Sequence, residues 1–174
     1  VLIRRLLAGS LAATDGEDTS QHVQALAAFR THYARENGCH AHPYPGVVDG
    51  LRALKARGLP LGVVTNKPDV FIAPLLEKTG LSEFFDVLVG GDTLPRIKPD
   101  PMPVVWACGR LGALPKETLF VGDSLNDALA ARAAGCPVFL LPYGYNEDQD
   151  VRRLDCDAII AAVSDIPPHL RPAG

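Results

Sequence analysis

Phe120-Val121-Gly122-Asp123-Ser124-Leu125-Asn126-Asp127 is the stretch on which the fold turns. Thr118 to Val121 is apolar, β-branched and aromatic, which predicts a buried strand. Ala128 to Ala134 predicts a helix, stopped by Gly135 with Pro137 beyond it. Between them two carboxylates, Asp123 and Asp127, fall near one strand end. In an open α/β sheet that end is where ligands bind. Two acids at this spacing suit a hard cation such as Mg²⁺, which takes oxygen ligands and often only one or two protein carboxylates. They suit equally well the plain capping and charging of a helix N-terminus.

Working outward, the same alternation repeats. Val47 to Arg57 predicts a helix closed by Gly58, Leu59 to Thr65 a strand, and Pro68 to Lys78 a helix with proline at its start. Phe85 to Val89 predicts a strand, Pro101 to Leu111 a helix, Pro137 to Leu141 a strand, and Ala158 to Ala161 a last short one. Strands alternating with helices imply βαβ units and a largely parallel sheet. Upstream the pattern is helical. Val1 to Ala13 and Ser20 to Asn37 predict helices separated by a polar loop at Thr14 to Thr19. Cys39 to Pro45 predicts a stiffened linker. The expected layout is a helical part over residues 1–42 and an α/β part over 43–174.

The 174 residues are 47% apolar with a formal charge of −3, a composition with no basic excess for nucleic acid and no apolar run long enough for a membrane span. Cys39, Cys108, Cys136 and Cys156 lack paired spacing, so they predict reduced, mostly buried thiols of a cytoplasmic protein. The chain starts on Val1. Arg4-Arg5 before Leu6-Leu7-Ala8 invites a signal-peptide reading, but Gly9-Ser10 interrupts the apolar stretch, and a chain cut from something longer is the expectation. Cys39, His40 and His42 read as a hinge, Phe71 and Trp106 as core, and Arg152-Arg153 as solvated surface.

Two more stretches carry chemistry. In Gly62-Val63-Val64-Thr65-Asn66-Lys67-Pro68, a hydroxyl and backbone N–H groups meet at a helix N-terminus, which makes an anion cradle or, more commonly, a cap. In Arg96-Ile97-Lys98-Pro99-Asp100-Pro101, two prolines stiffen the loop around Lys98, which can then act as a fixed charge toward a phosphate.

Thr65 after a strand, then Lys98-Pro99, then Gly122-Asp123-Ser124-Leu125-Asn126-Asp127, in this order, resembles the haloacid dehalogenase superfamily of phosphohydrolases. Val64 to Pro68, Val121 to Pro137, and Tyr143-Gly144-Tyr145-Asn146 look most like its bacterial phosphoglycolate phosphatases. The resemblance implies a Rossmann-like parallel sheet with helices on both faces, plus the later part of a helical cap. It implies Mg²⁺ held by Asp123 and by Asp127, directly or through water. Thr65 and the Asn66 N–H would bind a phosphoryl oxygen, and Lys98 would neutralise charge at the reacting group. The substrate would be a small phosphorylated metabolite, 2-phosphoglycolate first, and the state monomer or homodimer, without nucleic acid or membrane.

The family's first motif carries a nucleophilic Asp that becomes an aspartyl-phosphate, and a second Asp two residues on. The resemblance places it before the cap, upstream of Val1. Asp15-Gly16-Glu17-Asp18-Thr19 is a poor lookalike with no strand before it. The chain as given is therefore expected not to turn over, with a fragment that only binds metal and phosphate as the alternative reading. Such a fragment would also have an opened sheet edge. β-Phosphoglucomutase-like mutases and metal-free 2-haloacid dehalogenases share the fold, and the paired acids argue against the latter. A receiver domain would place its acids first in the chain, whereas the order here is Thr65, Lys98, Asp123.

Overall fold

The computed structural model describes residues 20–144 and 150–170. The helix expected over Val1 to Ala13, the loop at Thr14 to Thr19 and the Asp15 lookalike all lie outside them. The chain divides into two compact units, Val1–Ala41 and His42–Gly174. Of the first, α1 (Ser20–Glu36) is described; its residues are all at least partly exposed, and Phe29 stacks on Tyr33 one turn later at 5.3 Å.

The second unit alternates as its sequence predicts. α2 (Val47–Ala56) leads to β1 (Gly62–Val64), α3 (Ile72–Lys78), β2 (Val87–Val89), α4 (Met102–Arg110), β3 (Phe120–Gly122), α5 (Leu125–Ala134), β4 (Val138–Leu140) and β5 (Ala158–Ile159). All strand pairs are parallel: β1 with β2, and β4 between β3 and β5. The fold is α/β, with parallel sheets covered by helices on both sides. The strands are shorter than the apolar runs that encode them. Among the described residues they form two sheets, with no strand pairing β1 to β3.

β4 shows how the layers are built. Successive side chains of a strand point to opposite faces. Val138 and Leu140 join Val104 and Cys108 of α4 and Ala128, Ala130 and Ala131 of α5 in one core cluster. Phe139, pointing the other way, joins Leu54 of α2, Ile160 and Ile166 in a second. A strand buried on both faces reads as an unbroken apolar run, which is what Val138-Phe139-Leu140 is. Each fully buried side chain of this size contributes about 1.5–3 kcal/mol.

Two expectations are corrected. Trp106 is 37% exposed rather than core, with the Arg110 guanidinium 5.6 Å from its ring centroid. The buried stripe of α4 is Pro103, Val104, Ala107 and Cys108, and Trp106 lies off it. The helix expected from Pro68 starts later. Pro68 is extended at φ −57° and ψ 141°, Asp69–Phe71 forms a 3-10 turn, and the α-helix proper begins at Ile72. Asp92 Oδ1 accepts the Asp69 N–H at 2.7 Å, so a distant side chain sets that start. Phe71 is buried as expected, Cys108 and Cys136 are buried free thiols, and Cys39 is exposed. No helix among the described residues is long and apolar enough to cross a membrane.

Candidate active site

Lys98 is the hub. Its loop lies between β2 and α4, and its side chain is only 10% exposed. The ammonium donates to Val64 O at the end of β1 (2.6 Å) and to Asp127 Oδ1 in the first turn of α5 (2.5 Å). One charge thus ties the C-terminal end of the β1–β2 sheet to the junction after β3. The Phe120 ring, 5.5 Å from the ammonium, covers it from the β3 side.

Asp127 is 7% exposed, and both its oxygens are engaged. Oδ1 faces Lys98, while Oδ2 accepts from the N–H of Asp123 (3.1 Å), the N–H of Ser124 (3.2 Å) and the Ser124 hydroxyl (2.7 Å). Ser124 Oγ in turn accepts the Asp127 N–H, which completes a capping box at the start of α5. Burial alone would push the Asp127 carboxyl up. The Lys98 charge and the hydrogen bonds from Lys98, Ser124 and the Asp123 N–H outweigh it and hold the group below the usual carboxylate range.

Asp123 occupies the other side of this junction. Leu141, just after β4, donates to Gly122 O at 2.8 Å and so brings the following loop over the β3 end. Gly144 of that loop has φ +117°, and a Cβ built on it would collide with Asp123 Oδ2 and stand 2.7 Å from its Cγ. The backbone therefore lies directly against the Asp123 carboxylate, an approach that only glycine permits.

Thr65 follows β1 directly, so its hydroxyl stands one residue from the carbonyl that holds Lys98. Thr65 Oγ1 accepts the Lys67 N–H at 3.2 Å, and the Thr65 N–H donates to Val89 O, so its hydroxyl proton is left to donate. The Asn66 N–H has no acceptor among the described residues. The Asn66 carboxamide does something the sequence did not announce: it binds the Lys98 backbone at both N–H and C=O.

The structure thus joins Asn66, Lys98, Asp127 and the Asp123 N–H in one hydrogen-bonded network, with Thr65 adjoining it in the chain between Val64 and Asn66. Sequence reasoning missed Ser124 as the hydroxyl that shares Asp127, although Ser-x-x-Asp before an apolar helix is a capping signal. Gly144 was quoted only as part of Tyr143-Gly144-Tyr145-Asn146, with no role given to it. No group of three or more His, Cys, Asp or Glu side chains gathers among the described residues. Mg²⁺ needs no such cage, because it keeps several waters and binds through one or two carboxylates plus a substrate phosphate. Asp123 fits that role. Asp127, with both oxygens spoken for, fits an outer position.

A buried lysine–carboxylate pair and a hydroxyl meet near the C-terminal ends of parallel strands, the place where open α/β folds bind ligands. The model of the haloacid dehalogenase-like hydrolase family matches residues 9–141. The chain belongs to that family. It is 46% identical over 164 residues to a phosphoglycolate phosphatase of Thiobacillus denitrificans, covering 94% of this chain and 71% of the relative. It is 48% identical over 163 residues to a phosphoglycolate phosphatase of Nitrosospira multiformis, covering 93% and 70%. A crystal structure of a predicted phosphoglycolate phosphatase from Haemophilus somnus superposes with a TM-score of 0.81 at 38% identity, covering 96% of this chain and 72% of that one. Family and relatives together make the enzyme class a phosphatase.

Proposed function

We propose that the chain provides the phosphate-binding and charge-neutralising half of a Mg²⁺-dependent phosphomonoester hydrolase, acting on a small phosphorylated metabolite, with 2-phosphoglycolate as the substrate. The observation that carries the reading is the Lys98 ammonium, fixed between Val64 O and Asp127 Oδ1 beside Thr65. Thr65 Oγ1 and the Asn66 N–H donate to phosphoryl oxygens. Lys98, already desolvated and aimed, offsets negative charge as it builds on the transferring group, and such preorganised charge is where phosphoryl transfer gains most. Asp127 keeps Lys98 in place. Asp123 holds the Mg²⁺, which when bound supplies positive charge to the phosphoryl oxygens and orients the group. The nucleophile is assigned to a carboxylate outside the described residues, which attacks phosphorus and expels the ester's alcohol to form an aspartyl-phosphate, and water then hydrolyses that intermediate to phosphate and the free carboxylate.

The test is phosphate release from 2-phosphoglycolate and from a panel of other phosphomonoesters, with Mg²⁺ or with chelator. A preference for 2-phosphoglycolate of about tenfold or more, about 1.4 kcal/mol of transition-state discrimination, supports the substrate. Equal rates across the panel overturn the substrate while keeping the hydrolase. Chelator-insensitive release overturns the metal. Binding of phosphate with no release by this chain supports the reading in which it binds but does not turn over.

A further inference from the structure

The segments that follow β1 and β2 lie side by side, because the two strands are parallel neighbours with Val64 in register with Val89. Three hydrogen bonds join the segments. The Gly91 N–H donates to Lys67 O at 2.8 Å, the Asp69 N–H to Asp92 Oδ1 at 2.7 Å, and the Thr93 hydroxyl to Asp69 Oδ1 at 2.6 Å. Thr93 Oγ1 also accepts the Gly90 N–H at 2.7 Å, so the segment after β2 is braced within itself while it holds the other.

Two glycines bring the segments into close contact. A Cβ on buried Gly90 would stand 2.9 Å from Asp69 N and collide with the Asp69 carboxylate. A Cβ on Gly91 would collide with Asn66 O and stand 3.0 Å from Asn66 C. The atoms met at Gly91 are main chain and cannot rotate aside, so a side chain there displaces the Asn66 peptide. Asn66 in turn holds the Lys98 main chain at both N–H and C=O, and the Lys98 ammonium sits between Val64 O and Asp127 Oδ1. A line of contact thus runs from Gly91 through Asn66 to Lys98.

We infer that the segment 90–93 is the bed on which the segment 65–69 is seated, and that Gly91 and Thr93 are positioning residues for Lys98, acting through Asn66. The inference rests on the reading of Thr65, Asn66 and Lys98 as the phosphate site, and other fixings of the same segments would add to the seating. Binding groups have to be held to within about 0.5 Å, and the residues behind them do the holding.

The experiment is calorimetric titration of inorganic phosphate, with Mg²⁺ present, into the full chain and its variants, with melting temperatures measured alongside. Thr65→Val removes a hydroxyl and keeps the branched shape; it reports on the site itself and should weaken phosphate binding. Gly91→Ala should weaken it by about tenfold, the worth of one hydrogen bond to a charged group. Thr93→Val should weaken it by a smaller factor, and Thr93→Ser, which keeps the hydroxyl, should restore it. Because Gly91 acts through Asn66, its substitution should cost less affinity in an Asn66→Ala chain than in the parent. If the parent binds no phosphate, or Thr65→Val binds it as the parent does, the phosphate-site reading falls and the seating with it. If Thr65→Val loses affinity while Gly91→Ala and Thr93→Val bind as the parent does, the seating alone is overturned, whatever their melting temperatures. Equal losses on Gly91→Ala in the parent and in Asn66→Ala overturn the route through Asn66. Should Gly91→Ala fail to fold, Thr93→Val and its serine rescue decide the question.

Discussion

Asn66 grips Lys98 by its main chain. The carboxamide donates from Nδ2 to Lys98 O at 2.9 Å and accepts the Lys98 N–H on Oδ1 at 3.0 Å. The two residues are 32 apart in the chain, and the double bond fixes where the Lys98 side chain starts. The residue after Thr65 is therefore a jig for the lysine. Asn66→Ala should lose both bonds and lower stability by about 1 kcal/mol, since the residue is exposed and water replaces part of what is lost. Asn66→Asp should be worse, because it sets an acceptor against the Lys98 carbonyl. Chemical denaturation ranks the two, and the order Asp below Ala below parent is the expected result.

The Lys98–Asp127 pair should show the asymmetry of buried ions. Removing one partner leaves the other charge desolvated and unmatched, at a cost of about 3–5 kcal/mol. Lys98→Met and Asp127→Asn should each destabilise strongly, and the double variant should cost clearly less than the sum. A double-mutant cycle by urea denaturation measures the coupling. Additive losses would mean that the two groups do not depend on each other, against the geometry.

The same pair sets an acid limit. The folded-state carboxyl of Asp127 lies below the usual range, so the folded protein binds its proton less readily than the unfolded chain does. Its contribution is then present above the unfolded carboxylate pKa of about 3.9 and is lost as pH falls through the lower folded value. The stability advantage of the parent over Asp127→Asn should be constant from neutral pH down to about 5, then shrink in more acidic solution. Denaturation midpoints of both chains across that range check it.

Much of this arrangement was legible in the residues. β-Branched and aromatic runs at Gly62–Val64, Val87–Val89 and Phe120–Gly122, each followed by a helical pattern, encode the parallel layout. Thr65, Asp123 and Asp127 were each legible as residues at strand ends, whereas the bridge that Lys98 makes between Val64 O and Asp127 was not. What was hidden depends on contacts far apart in sequence. A carboxamide beside a strand end can cap, bind phosphate or clamp a loop, and only the position of Lys98 decides for Asn66. Asp127 satisfies the capping motif and the ion pair at once, and the spacing of the acids alone does not divide these roles. The 3-10 turn leading into α3 is tied through its Asp69 N–H to Asp92, a partner on another loop. Trp106 is different in kind. The apolar stripe at 103, 104, 107 and 108 was present in the sequence, and its helical period leaves position 106 outside it.

Thiol chemistry should separate the cysteines. Burial, with the neighbouring Cys108 thiol, pushes the Cys136 thiol up to about 12, so it carries almost no thiolate near neutral pH. Cys108 is equally buried, whereas Cys39 is exposed and donates from Sγ to Arg35 O at 2.9 Å. A disulfide reagent at pH 8 should label Cys39 rapidly in the native chain, and Cys108 and Cys136 only on unfolding. Rapid native labelling of Cys136 would contradict the packing of β4 against α4 and α5.

Tyr143 offers a case in which removing a polar group should help. Its hydroxyl is buried without a hydrogen-bond partner among the described residues. Burial, then the nearby Tyr44 and Asp165, raises its pKa, so it stays a neutral phenol. A buried hydroxyl without a partner forfeits its bonds to water, at about 1–3 kcal/mol. The ring, by contrast, carries the stack on Tyr44. Tyr143→Phe keeps the ring and discards the orphaned oxygen, so it should melt at or above the parent temperature, while Tyr143→Ala should melt well below it. A Tyr143→Phe chain less stable than the parent would show that the hydroxyl is hydrogen-bonded in solution.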